Sequence, residues 1–119
     1  MSKEFIKIGP ITCSLQADPP YKEVRNGETD FTLAKEKPAL ISNVFCKSLE
    51  NGGMICEAVP LNFAARMNDI GAEILTLCNG KNTIEKIAFE LSEKHDLDDD
   101  EFLEQVKTFL NIFRTYKLL

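Results

Sequence analysis

Between Phe102 and Phe113 the apolar residues fall at Phe102, Leu103, Val106, Phe109, Leu110 and Phe113, and this stripe restricts the fold more than any other pattern in the chain. The three-and-four spacing places all six on one side of an α-helix. Burying a large apolar side chain is worth roughly 1.5–3 kcal/mol, so the stripe demands an opposing apolar surface. Asp98-Asp99-Asp100-Glu101 stand at its head, where carboxylates meet the positive end of a helix dipole. The run lacks the spaced oxygen ligands ending in a bidentate Glu that a calcium loop requires.

Two further helices are predicted upstream, within MNDIGAEILTLCNGKNTIEKIAFEL. Asn68 or Asp69 can cap the first, whose inner face is Ile70, Ile74, Leu75 and Cys78. Asn79-Gly80 is the expected stop, since glycine takes the left-handed conformation that ends helices. The second opens at Asn82-Thr83, with Glu85 in capping-box position to Asn82, and repeats Ile84, Ile87, Ala88 and Leu91.

The surface that covers these helices is predicted to be a sheet. ISNVFCKSLE and MICEAV flank Asn51-Gly52-Gly53, residues that tolerate the positive φ of a hairpin turn. In LNFAARMN, Leu61, Phe63, Ala65 and Met67 alternate with Asn62, Ala64, Arg66 and Asn68, the period of a half-buried strand. Pro60 suits the start or edge of a strand because it cannot donate to a ladder. Three short antiparallel strands are therefore expected, with the third at an edge. The fold class that follows is α+β: a three-stranded antiparallel sheet followed by three helices.

Residues 1–39 form an N-terminal extension holding four of the five prolines. FIKIGPITCSLQ has room for one or two short strands broken at Gly9-Pro10, and Asp18 to Pro38 reads as an irregular connection. The expectation for this extension is an arm packed loosely over the neighbouring core. Residues 40–119 make up the folded domain.

At 119 residues the chain suffices for about one modest core. Its apolar runs are far shorter than the ~20 residues of a membrane span, and its N-terminus has no apolar signal core. A cytoplasmic protein with no membrane partner is expected. The net charge of −5 opposes nucleic-acid binding, which draws on clustered Lys and Arg. Cys13, Cys46, Cys56 and Cys78 form no close pair, and there is one histidine, so no metal site is expected. Cys46 and Cys56 flank the predicted turn and would face each other across a hairpin. No nucleophile motif and no convergent acid–base set is present, so no catalytic residue and no cofactor is assigned.

The ordered set of Asn68, Gly71, Ala72, Ile74, Leu75, Gly80, Thr83, Ile87, Leu91, Phe109, Leu110 and the terminal Leu118-Leu119 resembles the PqqD-like family, also called the RiPP recognition element. The likeness covers roughly residues 40–119. It implies a winged-helix-type domain that binds the leader of a precursor peptide and presents it to a peptide-modifying enzyme, often of the radical S-adenosylmethionine type. In that family the leader adds as an antiparallel strand to the third strand and lies against the third helix. The resemblance therefore implies a peptide-binding edge at Phe63, Ala64, Ala65, Arg66 and Met67. The opposing wall would be Val106, Leu110 and Phe113, with Lys107 and Arg114 placed to pair with acidic leader residues. An edge strand offers unpaired backbone groups, so attachment needs little sequence and specificity falls to side-chain pockets.

The extension has no counterpart in the minimal family pattern, and three roles stay open for it: adding a strand, covering the groove, or docking on a partner enzyme. Two other functions compete with peptide capture. One is an accessory subunit for protein–protein contact; the other is a winged-helix DNA-binding regulator, against which the four acids heading the third helix count. A monomer or a strand-exchanged dimer is expected.

Overall fold

A computed structural model describes residues 3–17, 36–41, 44–58 and 62–119. Strands β1 (Lys3–Ile8), β2 (Ile11–Ala17), β3 (Phe45–Ser48), β4 (Met54–Ala58) and β5 (Phe63–Met67) precede helices α1 (Asp69–Thr76), α2 (Ile84–His95) and α3 (Asp99–Thr115). The strands form one antiparallel sheet in the order β1-β2-β5-β4-β3. The helices lie on one face of it, over the core.

The sheet thus has five strands, and the expectation of three is corrected. The two added strands are FIKIGPITCSLQ, broken at Gly9-Pro10 as the sequence suggested, and they make up a hairpin. This hairpin is no loose arm. Ile11, Cys13, Leu15 and Ala17 of β2 are buried beneath the helices while Thr12, Ser14 and Gln16 are half-exposed on the outer face. Residues 18–35, most of the stretch read as an irregular connection, lie outside the described residues.

The expected edge is corrected too. β5 pairs with β4 on one side and β2 on the other, in the register Phe63↔Ala17, Ala65↔Leu15 and Met67↔Cys13. The period-two pattern read from its sequence holds, with Phe63, Ala65 and Met67 buried and Arg66 exposed. A strand buried on one face alternates in the same way at the centre of a sheet or at its edge, so the pattern could not locate it.

All three helices open on capping side chains. Asn68 accepts from the Gly71 N–H, Thr83 from Lys86 and Asp98 from Glu101, each satisfying a donor that a helix start leaves unpaired. Two boundaries differ from expectation. The first helix ends at Thr76, before Asn79-Gly80; the Leu77 carbonyl there accepts from the Asn82 side chain at 3.0 Å. The cap of α2 is Thr83, so Lys86 takes the third helical position and no capping box closes on Asn82.

Residues 36–41 fasten the helices from outside. Glu36, Pro38 and Leu118 carbonyls accept from Ile84, Gly80 and Ile41 at 2.9–3.0 Å, and Ala39 bridges Asn79. At the C-terminus Lys117 turns into the left-handed region, and the Leu118 N–H then bonds the Phe113 carbonyl. Leu118 is thereby buried in the core.

Candidate functional site

The residues predicted to bind peptide are brought together, but as core more than as groove. Val106, Leu110 and Phe113 are fully buried on the inner face of α3, facing the buried side chains of β5. The Phe113 ring meets Phe63 edge-on with centroids 5.6 Å apart, and Tyr116 closes on the same ring at 5.1 Å. Ala64 is half-exposed and Arg66 exposed, both on the outer face. The two cations are engaged within the chain. Lys107 Nζ lies 3.1 Å from Glu104 on its own helix, and Arg114 lies 3.2 Å from Glu36.

The backbone of β5 is closed on both sides, and β2 takes the position that an incoming antiparallel strand would occupy. Lifting β2 away would expose Ile11 and Leu15 along with Cys13 and Ala17. At ~1.5–3 kcal/mol for each large aliphatic side chain, Ile11 and Leu15 alone account for about 3–6 kcal/mol. That is a large share of the ~5–15 kcal/mol typical of a whole domain. β2 is part of the native sheet.

The sheet's outer strands are β1 and β3. All four residues of β3 are exposed, and short exposed strands with a lysine, here Lys47, are a usual way of blunting an edge. β1 differs because α3 runs beside it. Ile6 and Ile8 face the helix layer, half-buried, with Glu4 in the same row. A cleft of about 520 Å³ opens between this row and Thr108 and Ile112 of α3. On the other face Phe5 is 69% exposed, in register with Ser14. None of Glu4, Ile6, Ile8, Thr108 or Ile112 was singled out from the sequence. The available signal was the strict alternation of ITCSLQA, which marks β2 as a strand buried on one face; that its hairpin partner is the edge follows only from the strand order.

A second cleft, about 460 Å³, separates the β3–β4 hairpin from α1 and α2. The Glu73–Lys94 ion pair, at 3.0 Å, spans its wall, and His95 shares the same carboxylate. Cys46 and Cys56 stand directly opposite each other on β3 and β4 with their sulfurs 2.6 Å apart. The Cys56 thiol holds the Cys46 pKa below its usual value, while its own is raised by that contact and by burial. Burial alone pushes Cys13 and Cys78 up to about 12. Among the described residues no group of His, Cys, Asp and Glu could hold a metal ion. No described helix is long and apolar enough to cross a membrane.

A family model described as coenzyme PQQ synthesis protein D (PqqD) matches residues 57–119, which is 63 of the chain's 119. The chain belongs to the PqqD family. PqqD proteins bind a precursor peptide and work beside a biosynthetic enzyme without themselves being catalysts. The PqqD match begins within β4 and takes in β5 and all three helices, so β1, β2 and β3 lie outside it. The strand that closes β5 thus comes from outside the span this chain shares with PqqD. No curated protein and no solved structure matched the chain.

Proposed function

We propose that this chain is a non-catalytic peptide-binding chaperone that captures a precursor (leader) peptide by β-strand addition and presents it to a peptide-modifying enzyme. PqqD membership supports the peptide and the enzyme as partners. The observation that carries strand addition is the pairing of an outer strand, β1, with a helix wall across a cleft. Such an edge holds a peptide by main-chain hydrogen bonds, while the cleft selects among its side chains.

In this reading the buried residues Phe63, Ala65, Met67, Val106, Leu110 and Phe113 set the spacing of sheet and helix. They would touch a peptide directly only in a state with β2 displaced, whereas Ala64 and Arg66 lie on the sheet's outer face and Lys107 and Arg114 are engaged by Glu104 and Glu36. The chain needs no cofactor for this work, which would take place in the cytoplasm. The enzyme in this proposal, of the radical S-adenosylmethionine type, would act on the part of the peptide left unbound.

Calorimetric titration of the full chain with synthetic leader peptides, taken from precursor genes beside its own, tests the proposal. One peptide should bind saturably at one per chain. A proline at the centre of that peptide should weaken it at least tenfold, because proline removes a ladder donor. Absence of binding by every such peptide contradicts the proposal.

A further inference from the structure

Resting on that reading, we infer that the peptide adds to β1, in the cleft between β1 and α3, and that the segment bound carries alternating apolar residues with a basic residue opposite Glu4. The family match alone would direct a peptide to β5, but this chain's own β2 holds that place with four buried side chains. The next backbone edge outward is β1, whose six residues suffice for a ladder. α3 still provides the wall, now through Thr108 and Ile112.

Charge identifies the occupant. Glu4 lies in the row facing the cleft, Lys7 reaches its rim from the outer row, and no ion pair among the described residues involves either. An inward carboxylate on an edge strand repels acidic strands and disfavours wholly apolar ones, which is selection by exclusion. A basic residue two positions from an apolar one satisfies Glu4 and fills the space beside Ile6 and Ile8 together. A second copy of β1 fits less well. Paired antiparallel about Ile6 in one continuous sheet, it would set each Glu4 against the other copy's Ile8 and leave two carboxylates without partners.

The experiment uses the tightest leader peptide from the calorimetry, fluorescein-labelled and followed by anisotropy. Thr108 is exposed, and Thr108→Arg should block the cleft, weakening binding at least tenfold with the melting curve preserved. Glu4→Lys should weaken it at least threefold, and a peptide whose basic residue is changed to Glu should recover part of that loss. A third variant, S14C/R66C, joins β2 to β5 through a pair directly opposite on the outer face. Its oxidised form should bind within twofold of its reduced form. Retained affinity in Thr108→Arg overturns the β1 site, as does loss of affinity on locking β2, which would return the peptide to β5. If no leader peptide binds the unaltered chain, the peptide-capture reading itself fails, and this assignment with it.

Discussion

The side-chain amide of Asn68 donates to the Pro10 carbonyl at 2.7 Å, across 58 positions of sequence. Its oxygen meanwhile accepts from the Gly71 N–H at 3.1 Å and the Thr12 N–H at 3.3 Å. One residue caps α1 and fastens the turn of the N-terminal hairpin to it. The backbone joins in, since the Asn68 N–H bonds the Thr12 carbonyl. The hairpin that closes β5 is therefore tied to the family-matched part of the chain at a helix start, besides being paired in the sheet.

Asn68→Ala should destabilise the chain by about 1–3 kcal/mol, combining a lost cap with unpaired groups at the hairpin turn. Asn68→Asp separates the two roles. Aspartate caps as well as asparagine but cannot donate to Pro10. Urea denaturation with hydrogen exchange should show a smaller stability loss for Asn68→Asp, with faster exchange concentrated at Ile8–Thr12.

Gly71→Ala should destabilise, although alanine normally favours a helix interior over glycine by ~0.5–1 kcal/mol. A Cβ at position 71 would stand 2.9 Å from the Met67 Cβ and 3.3 Å from the Phe109 ring. Neither neighbour is a mobile chain end, so α1 must move off β5, at a cost of about 1–3 kcal/mol. A thermal melt of the variant decides the sign.

Cys46 should be the first thiol alkylated by iodoacetamide in the native protein. It is exposed, and the Cys56 contact lowers its pKa, whereas Cys13, Cys56 and Cys78 are buried with raised values. Thiolate is the reactive form. Peptide mapping after brief alkylation at pH 8 should find label on Cys46 before any other cysteine, and Cys46→Ser should leave only slow labelling that tracks unfolding.

Alkaline pH should weaken the fold through Cys13 and Cys78. Their thiols hold protons up to about 12 when folded, against an ordinary value of 9.0, so the native state binds more protons than the unfolded chain in that interval. Their contribution is whole below pH 9 and is lost as pH rises from 9 toward 12, by at most ~1.4 kcal/mol per pH unit for each thiol. Urea midpoints at pH 8 to 10.5 should fall more steeply for the native sequence than for Cys13→Ala/Cys78→Ala. Equal slopes would remove the thiols from the account.

The helices were legible because each repeats its buried residues over two turns or more and opens on a side chain able to cap. Their ends were less so: α1 stops four residues before its glycine, where Asn82 reaches back to Leu77, a contact no local pattern encodes. The hairpin of β3 and β4 could be placed from its Asn-Gly-Gly turn, and with it the facing of Cys46 and Cys56. The position of β5 in the sheet could not. Nothing in Phe63–Met67 says how many strands flank it, and the alternation from Ile11 to Ala17, some fifty residues earlier, announces a further strand without saying where it pairs. For Val106, Leu110 and Phe113 one helical stripe serves core and groove alike, and in the structure all three are completely buried.

An NMR titration of the labelled full chain with the tightest-binding synthetic leader peptide is the sharpest test of the proposal that a peptide adds to the outer strand of the five-stranded sheet. Shifts should concentrate at Lys3–Ile8 and around Thr108 and Ile112, with the amides of Ile11–Ala17 still protected from exchange. Shifts centred on Phe63–Met67, with protection lost along Ile11–Ala17, would contradict it.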